Sequence, residues 1–255
     1  MRKTTLIPLL ATSVLLLLAA VALGGRPAIA AQPQPATPRA AVTETVALTP
    51  ALDNTLYEST LGTISNGAGQ HFFAGTTGNG GVRRGLLAFD LSSIPAGATV
   101  LSATLTLTMS KTIAGETPVA LHALTAAWGE GTSDALGEEG AGATATPGDA
   151  TWLHTFFDTD LWANPGGDFD PAPSAVTPVD GPGVYEWASP ALVADVAGWL
   201  ANPSGNFGWA LLGDESANST AKRFDSREND AANRPRLTVT YTVAVERVFT
   251  PVVVR

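Results

Sequence analysis

The chain has 255 residues, with 14 lysines and arginines against 23 aspartates and glutamates, and it contains no cysteine. The missing cysteines exclude disulfides, thiol chemistry and cysteine-ligated metals. The acidic balance disfavours nucleic acid and anionic lipid as partners.

Residues 1–30 have the pattern of a secretory signal peptide. Arg2 and Lys3 precede an apolar run, and the sequence AIA at 28–30 provides a small-x-small cleavage site. A retained anchor is the alternative, but the apolar run is short for a membrane span and no second stretch is long enough. Cleavage leaves 11 basic residues against 23 acidic ones. We expect a secreted or cell-surface-associated protein without a transmembrane anchor in the mature chain.

Three segments follow the signal peptide. Residues 31–42 are rich in proline and alanine and predict an extended linker. Residues 43–243 have the length of one folded domain. Residues 244–255 form a strand-like tail that ends in an aromatic-x-Pro-aliphatic-Arg pattern, a hint of surface attachment or sorting.

The folded segment is predicted to be rich in β-strands. In residues 101–109 and 236–245, apolar residues alternate with threonine and serine, which is typical of half-buried antiparallel strands. Runs rich in glycine, asparagine and proline separate these segments, as turns do. Further strands are predicted at residues 51–59, 85–91, 118–124 and 207–213.

One helix is predicted near residue 190. Ser189 is a good N-cap, Pro190 suits the first helical position, and Asn202-Pro203 stops the helix. Residues 129–183 form a long insertion rich in glycine and aspartate. The predicted fold is therefore all-β, an antiparallel jelly-roll-like β-sandwich with one short helix and this insertion.

Aspartates recur in the insertion in two D-x-D pairs. Asp158 and Asp160 form the first pair, and Asp168 and Asp170 form the second. Clustered carboxylates on a loop can provide several of the six to eight oxygen ligands of calcium. The pattern lacks the glycine and distal glutamate of an EF-hand loop, so a solvated acidic loop and a calcium site both remain open.

Three tryptophans lie in or beside the insertion. Trp128, Trp152 and Trp162 would stack on sugar rings if they were exposed. The alternative is that these rings pin the insertion to the sheet.

Basic residues gather before the last predicted strand. Lys222, Arg223 and Arg227 alternate there with acids, among them Glu228. Arginine binds carboxylates through a planar fork, which predicts ion pairs that fix a loop or tie down the acidic insertion. The functional alternative is a cationic platform for an acidic polysaccharide.

The sequence contains no recognisable catalytic pattern. It lacks G-x-S-x-G, H-E-x-x-H and a glycine-rich phosphate loop, and no spacing selects a pair of opposed carboxylates. We therefore expect a protein that is not an enzyme.

Several segments resemble the DNRLRE domain, a secreted bacterial β-sandwich module related to carbohydrate-binding module family 96. They are RRGLLAFDLSSIPAGATVLSATLTLTM, TAAWGEG, GDATW, VADVAGWLANPSGNFGWALLG and KRFDSRE followed by RPRLTVTYT. At the place of the motif that names the family this chain has FDSREN, in which Ser226, Arg227 and Glu228 align and the other residues depart from the motif. The resemblance implies a jelly-roll-like sandwich in exported proteins, some of which bind polysaccharides that include alginate-type acidic glycans.

Together these features predict an exported, non-catalytic carbohydrate-binding or cell-surface module. Its partner would be a polysaccharide or a component of the cell envelope. A structural envelope protein that binds protein neighbours and a polysaccharide-active enzyme are the alternatives. Asp90 and Glu228 are expected to be structural anchors, with a cation left open, and the predicted ligand contacts are Trp128, Trp152, Trp162, Lys222, Arg223 and Arg227.

Overall fold

The computed structural model describes residues 40–245 of the chain. The predicted signal peptide, residues 31–39 of the linker and residues 246–255 of the tail lie outside the described residues. The first strand begins at Ala40, three residues before the predicted start of the folded segment, and the last strand ends at Val245.

The described residues are mostly β-structure with one α-helix, which confirms the predicted all-β, sandwich-like fold. The helix, α1, spans Pro190–Ala201, and a 3₁₀ turn follows at Pro203–Gly205. The strands are β1 (Ala40–Leu48), β2 (Leu52–Tyr57), β3 (Ile64–Ser65), β4 (His71–Thr76), β5 (Val82–Ala88), β6 (Thr99–Thr112), β7 (Thr117–Ala123), β8 (Ala143–Thr144), β9 (His154–Phe156), β10 (Asp160–Leu161), β11 (Ala175–Val179), β12 (Gly183–Ala188), β13 (Trp209–Leu212), β14 (Lys222–Asp225) and β15 (Arg236–Val245).

Most strands belong to one large, curled antiparallel sheet. Its order is β1-β15-β6-β14-β4-β5-β13-β7-β11, while β12 also pairs with β6 and β2 also pairs with β5. Buried side chains from strands β4 to β7 and β11 to β15 join one hydrophobic core. The curled sheet therefore buries its apolar face in this core, into which Leu192, Val196 and Trp199 of α1 also pack.

The predicted alternation in β6 is confirmed from Ala103 to Met109, whose inward side chains are at most 2% exposed. Leu101 departs from the pattern and is 52% exposed. The pairing with β15 shifts register between Thr240 and Tyr241, so that Val100 turns toward the core instead. The extra residue at this bulge reverses the side-chain faces beyond it.

Helix α1 begins and ends where the sequence predicted. The Ser189 hydroxyl accepts a hydrogen bond from the Leu192 N–H at 3.0 Å, and Pro190 occupies the first turn. Trp199 packs against Trp209, with ring centroids 4.5 Å apart. No helix within residues 40–245 is long and apolar enough to cross a membrane.

The insertion contains more sheet than the sequence indicated. Its final part forms β11 and the start of β12, which pair with β7 and β6. Pro178 interrupts the apolar pattern of β11, yet this strand lies at the end of the sheet order, where a proline is tolerated. The position of β11 at the end of the sheet therefore allows a strand that its own sequence predicts only weakly.

Candidate functional site

The four residues Trp128–Gly131 form a tightly packed irregular segment at the start of the insertion. The Trp128 ring is buried, and its indole N–H donates to the Phe207 carbonyl at 2.9 Å. A Cβ at position 129 would lie 2.0 Å from the Gly148 carbonyl oxygen, so the backbone approaches too closely for any other residue. This packing gives Glu130 a defined position between its two glycine neighbours.

Glu130 meets two other carboxylates from distant parts of the chain. One oxygen from each of Asp53, Glu130 and Glu228 lies within 4.8 Å of the other two, and we call this group the acidic cluster. Asp53 lies on β2 and is 1% exposed, while Glu228 lies in the loop between β14 and β15. The cluster therefore joins the sheet, the insertion and the final loop.

A single arginine lies among these carboxylates. Arg227 donates from Nε and Nη2 to the two oxygens of Glu130, at 2.8 and 2.7 Å. Its Nε also lies 2.9 Å from Glu228 Oε1, and its backbone N–H donates to Asp53 Oδ2 at 2.7 Å. Three ionised carboxylates around one guanidinium leave an excess of two negative charges.

Burial makes this excess unfavourable. Burial, followed by the neighbouring charge of Glu228, raises the pKa of Asp53 well above its usual value. Burial also raises the pKa values of Glu130 and Glu228, and the Arg227 charge opposes both shifts. The Glu228 Oε2 atom is buried and has no hydrogen-bond partner among the described residues. The acidic cluster is thus under-compensated by the protein groups around it.

A second site lies where β14 pairs with β6. Arg223 is directly opposite Lys111 in this ladder, which places two cations side by side. Glu138 bridges them, at 2.9 Å from Lys111 Nζ and 2.7 Å from Arg223 Nη1. The hydrogen bond from Lys111 and the charges of Lys111 and Arg223 hold the pKa of Glu138 below its usual value.

These residues line an open groove of about 240 Å³. Arg83 is in its wall and donates to the Gly140 carbonyl, and Ile113 is 82% exposed beside it. We call this the basic groove, defined by Phe73, Arg83, Lys111, Ile113, Glu138 and Arg223.

A larger cavity of about 600 Å³ beside Arg84 offers less to a charged ligand. The Arg84 guanidinium already makes two hydrogen bonds to Glu215, at 2.7 and 2.8 Å. It also stacks over Trp152 and Phe169, with 5.0 and 5.4 Å to the ring centroids. The charge in this cavity is therefore already neutralised by the protein itself.

Burial corrects the prediction that Trp128 and Trp162 face a ligand. Both are 5% exposed and belong to a second core beneath the insertion. The Trp162 indole N–H donates to the Thr151 carbonyl at 2.9 Å. Trp152 is half-buried under Arg84. These rings fasten the insertion to the sheet, which was the structural alternative.

The three basic residues predicted as ligand contacts have different surroundings. Only Arg223 lines the basic groove, whereas Arg227 is bound into the acidic cluster. Lys222 is 0% exposed, and its Nζ donates to the carbonyls of Gly115 and Asp180 at 3.0 and 3.3 Å. Lys222 therefore does not line the basic groove, because alternation along β14 turns its side chain inward.

The four aspartates predicted to bind metal do not come together. Within residues 40–245, no group of three potential metal ligands includes any of them. Asp168 instead accepts hydrogen bonds from the Ala163 and Asn164 N–H groups and the Asn164 amide, and so closes a turn. The other three are exposed: Asp158 lies in the turn between β9 and β10, Asp160 begins β10, and Asp170 lies in the loop before β11. The D-x-D spacing therefore brings no metal site together within the described residues.

Asp90 has a local role. Its carboxylate accepts from the Ser92 N–H and hydroxyl, both at 2.9 Å. These hydrogen bonds lower the pKa of Asp90. The residue therefore stabilises the turn after β5, while Glu228, the other expected anchor, belongs to the acidic cluster.

Sequence reasoning did not assign most residues of these sites. Asp53 and Glu130 complete the acidic cluster, Lys111 completes the cationic pair with Arg223, and Glu138 bridges that pair. A charged residue inside the strand LDNTLY and a glutamate between two glycines were the available signals. Neither pattern indicates which distant residue lies opposite.

The buried position of Lys222 predicts that two substitutions there will affect the free energy of unfolding differently. We expect Lys222→Met to change the free energy of unfolding at pH 7 by less than about 1.5 kcal/mol, since two lost hydrogen bonds are offset by removal of a buried charge. Lys222→Ala should cost about 2–4 kcal/mol, because it leaves a cavity. Urea unfolding measures both, and equal losses in the two variants would contradict the interpretation.

Lys222 should also give a pH dependence. Burial lowers the pKa of Lys222 in the folded protein, so the unfolded chain binds that proton more tightly. Wild-type stability should therefore rise relative to Lys222→Met as pH increases toward the usual lysine pKa of about 10.4. Urea unfolding at several pH values from neutral upward measures this difference.

Comparison of the chain with models of known protein families finds no match, and no curated protein matches it either. The class of protein is therefore defined by the fold and the sites themselves. The chain folds into a curled, antiparallel, sandwich-like β-sheet with one helix in the part that the structure describes. An acidic cluster and a basic groove lie where its insertion meets the sheet.

Proposed function

We propose that this protein is an exported, non-catalytic module that binds acidic polysaccharide in the basic groove. The observation that supports this most directly is the pair of cations, Lys111 and Arg223, directly opposite each other on neighbouring strands. Like charges in that position are destabilising, so the pair favours an anion between them.

Glu138 supplies that anion in the unliganded protein. Its side chain is 68% exposed, and an exposed ion pair of this kind contributes little to stability. The carboxylate of a uronic acid residue has the same chemistry and could displace it at low energetic cost. Arginine would then bind the ligand carboxylate through its planar fork.

The surroundings of the groove suit a sugar chain. The groove contains three cations and one carboxylate, on a mature chain that is otherwise strongly acidic. Exposed Ile113 adds an apolar surface for the C–H face of a sugar ring. A repeating carboxylate polymer would be attracted to this local positive charge.

The lining of the groove favours binding over hydrolysis. Hydrolysis of a glycosidic bond ordinarily requires two carboxyl groups on opposite sides of the bond. Glu138 is the one carboxylate among the described residues that line the groove, and none of the three histidines lines it. The signal-peptide pattern and the resemblance to DNRLRE domains support an exported location.

Calorimetric titration with polygalacturonate, alginate and a neutral glucan tests the proposal. We expect saturable binding of the acidic polymers only, weaker at high salt because screening shortens the reach of the charges. Lys111→Ala with Arg223→Ala should reduce the affinity at least about tenfold, or about 1.4 kcal/mol. Arg236→Ala is the matched control, an exposed arginine on β15 opposite Thr106.

Four outcomes would count against the proposal. Equal binding of the neutral glucan, or an equal loss in Arg236→Ala, would exclude the groove as the site. No binding, together with retention of the protein in envelope fractions, would favour a structural envelope protein. Release of reducing ends from alginate or pectin would favour a polysaccharide-active enzyme.

A further inference from the structure

We propose that Asp53, Glu130 and Glu228 bind one calcium ion, which connects β2, the insertion and the loop before β15. This site is separate from the basic groove, and the proposal does not depend on glycan binding. It includes Glu228, for which the sequence left a cation open, but none of the four aspartates of the D-x-D pairs, Asp158, Asp160, Asp168 and Asp170.

The distances fit a shared ion. Calcium binds oxygen at about 2.3–2.6 Å, so two oxygens on one ion lie at most about 5 Å apart. One oxygen from each of the three carboxylates lies within 4.8 Å of the others. Repulsion would normally keep ionised carboxylates further apart than this. The arrangement therefore has the dimensions of a coordination site.

One carboxylate oxygen of the cluster has no hydrogen-bond donor among the described residues, and another carboxylate has a single donor. Asp53 is 1% exposed, and among residues 40–245 its carboxylate accepts one hydrogen bond, from the Arg227 N–H to Oδ2. Glu228 Oε2 is fully buried and accepts none from these residues. Buried acceptors without partners are rare in native proteins and call for an ion, a proton or a further donor.

The charge and ligand types favour a hard divalent cation. Three carboxylates and the Arg227 guanidinium leave two negative charges, which one divalent ion neutralises. All candidate ligands are oxygens, and the described chain offers no histidine or cysteine within the cluster. Calcium accepts irregular geometry and bidentate carboxylates, whereas magnesium requires nearly ideal octahedral geometry.

A shared proton is the competing explanation. Burial favours the protonated form of Asp53 even without a metal ion. A proton would satisfy one carboxylate oxygen and would give no response to added calcium. The two explanations are therefore separated by titration with the metal itself.

The experiment uses the folded chain after treatment with a chelator. We expect equilibrium dialysis with CaCl₂ to show one ion per chain, with a dissociation constant of about 10⁻⁵–10⁻³ M. At a hundredfold excess over this constant, Tm should rise by about 5–10 °C. MgCl₂ at the same concentration should give a clearly smaller rise.

Matched variants locate the ion. Asp53→Asn and Glu228→Gln should each lower calcium affinity about a hundredfold and so remove most of the rise in Tm at the same calcium concentration. The double variant Asp158→Asn, Asp160→Asn removes two exposed acids and should bind calcium like the wild type. If Asp53→Asn does not fold, Glu228→Gln still decides the question, because its side chain is partly exposed.

The proposal fails if dialysis finds no bound calcium, if the rise in Tm persists in Glu228→Gln, or if the Asp158 and Asp160 control abolishes it. A stability that depends on pH but not on calcium would assign the site to a shared proton. Calcium binding without binding of acidic glycan would contradict only the proposed function. Glycan binding without calcium binding would contradict only the metal site.

Discussion

Replacement of Arg227 by methionine is expected to lower the free energy of unfolding by about 2–3 kcal/mol at pH 7 in the presence of a chelator. The change removes the only guanidinium that bridges Glu130 and Glu228 within the described residues. Loss of one partner from a buried ion pair usually costs about 3–5 kcal/mol, and we place this case lower because the Arg227 side chain is 35% exposed.

The sign of the pH dependence follows from the raised pKa values of the acidic cluster. An acid whose pKa is higher in the folded state loses stability as pH rises above its usual value of about 4. The difference between wild type and Arg227→Met should therefore shrink as pH falls, since protonation removes the uncompensated charges. Urea unfolding between neutral and mildly acidic pH measures this.

A second substitution provides the control. Addition of Glu228→Gln to Arg227→Met should restore part of the lost stability, because it removes one of the three carboxylates. If Glu228→Gln lowers the free energy of unfolding of Arg227→Met as much as it lowers that of the wild type, the charges do not interact as described. Coupling between contacting residues is what such a double-mutant cycle measures.

Substitution of Gly131 by alanine is expected to cost about 2–5 kcal/mol, from backbone strain and steric overlap together. Gly131 has φ +71°, in the left-handed region, and a Cβ there would lie 1.7 Å from Asp149 Oδ1. Relief of this overlap would also shift the backbone of Gly131 and with it the adjacent Glu130, which belongs to the acidic cluster. Thermal and urea unfolding measure the loss.

Gly137 separates the two contributions. Its φ is +70°, but apart from its chain neighbours no described atom lies within 4 Å of the position that a Cβ would occupy. Gly137→Ala therefore imposes the backbone strain alone, and we expect it to cost about 1–2 kcal/mol. Equal losses at the two positions would show that the close packing around Gly131 contributes nothing to stability.

The arginines before the last strand serve two different sites. Arg223 pairs with Glu138 and Arg227 pairs with Glu130, so both connect the final strands to acids of the insertion. This agrees with the structural interpretation of that segment. The same insertion residues also form one wall of the basic groove and one third of the acidic cluster. Its attachment to the sheet therefore determines the geometry of both sites.

Local patterns were sufficient for the parts of the fold that depend on nearest neighbours. The alternation in β6 and β15, the Ser189 cap and the end of α1 follow from side-chain period and capping, which are properties of adjacent residues. The all-β class follows from the same patterns. They also excluded cysteine chemistry without any structural information.

Tertiary structure alone decided which residues meet. Asp53 and Glu228 are 175 positions apart, and Lys111 faces Arg223 because of the register between β6 and β14. Trp128 and Lys222 are likewise buried, although the sequence predicted both as ligand contacts. Sequence determined the local conformations, because these depend on a few consecutive residues. Strand order and register, which act over the whole chain, determined the sites.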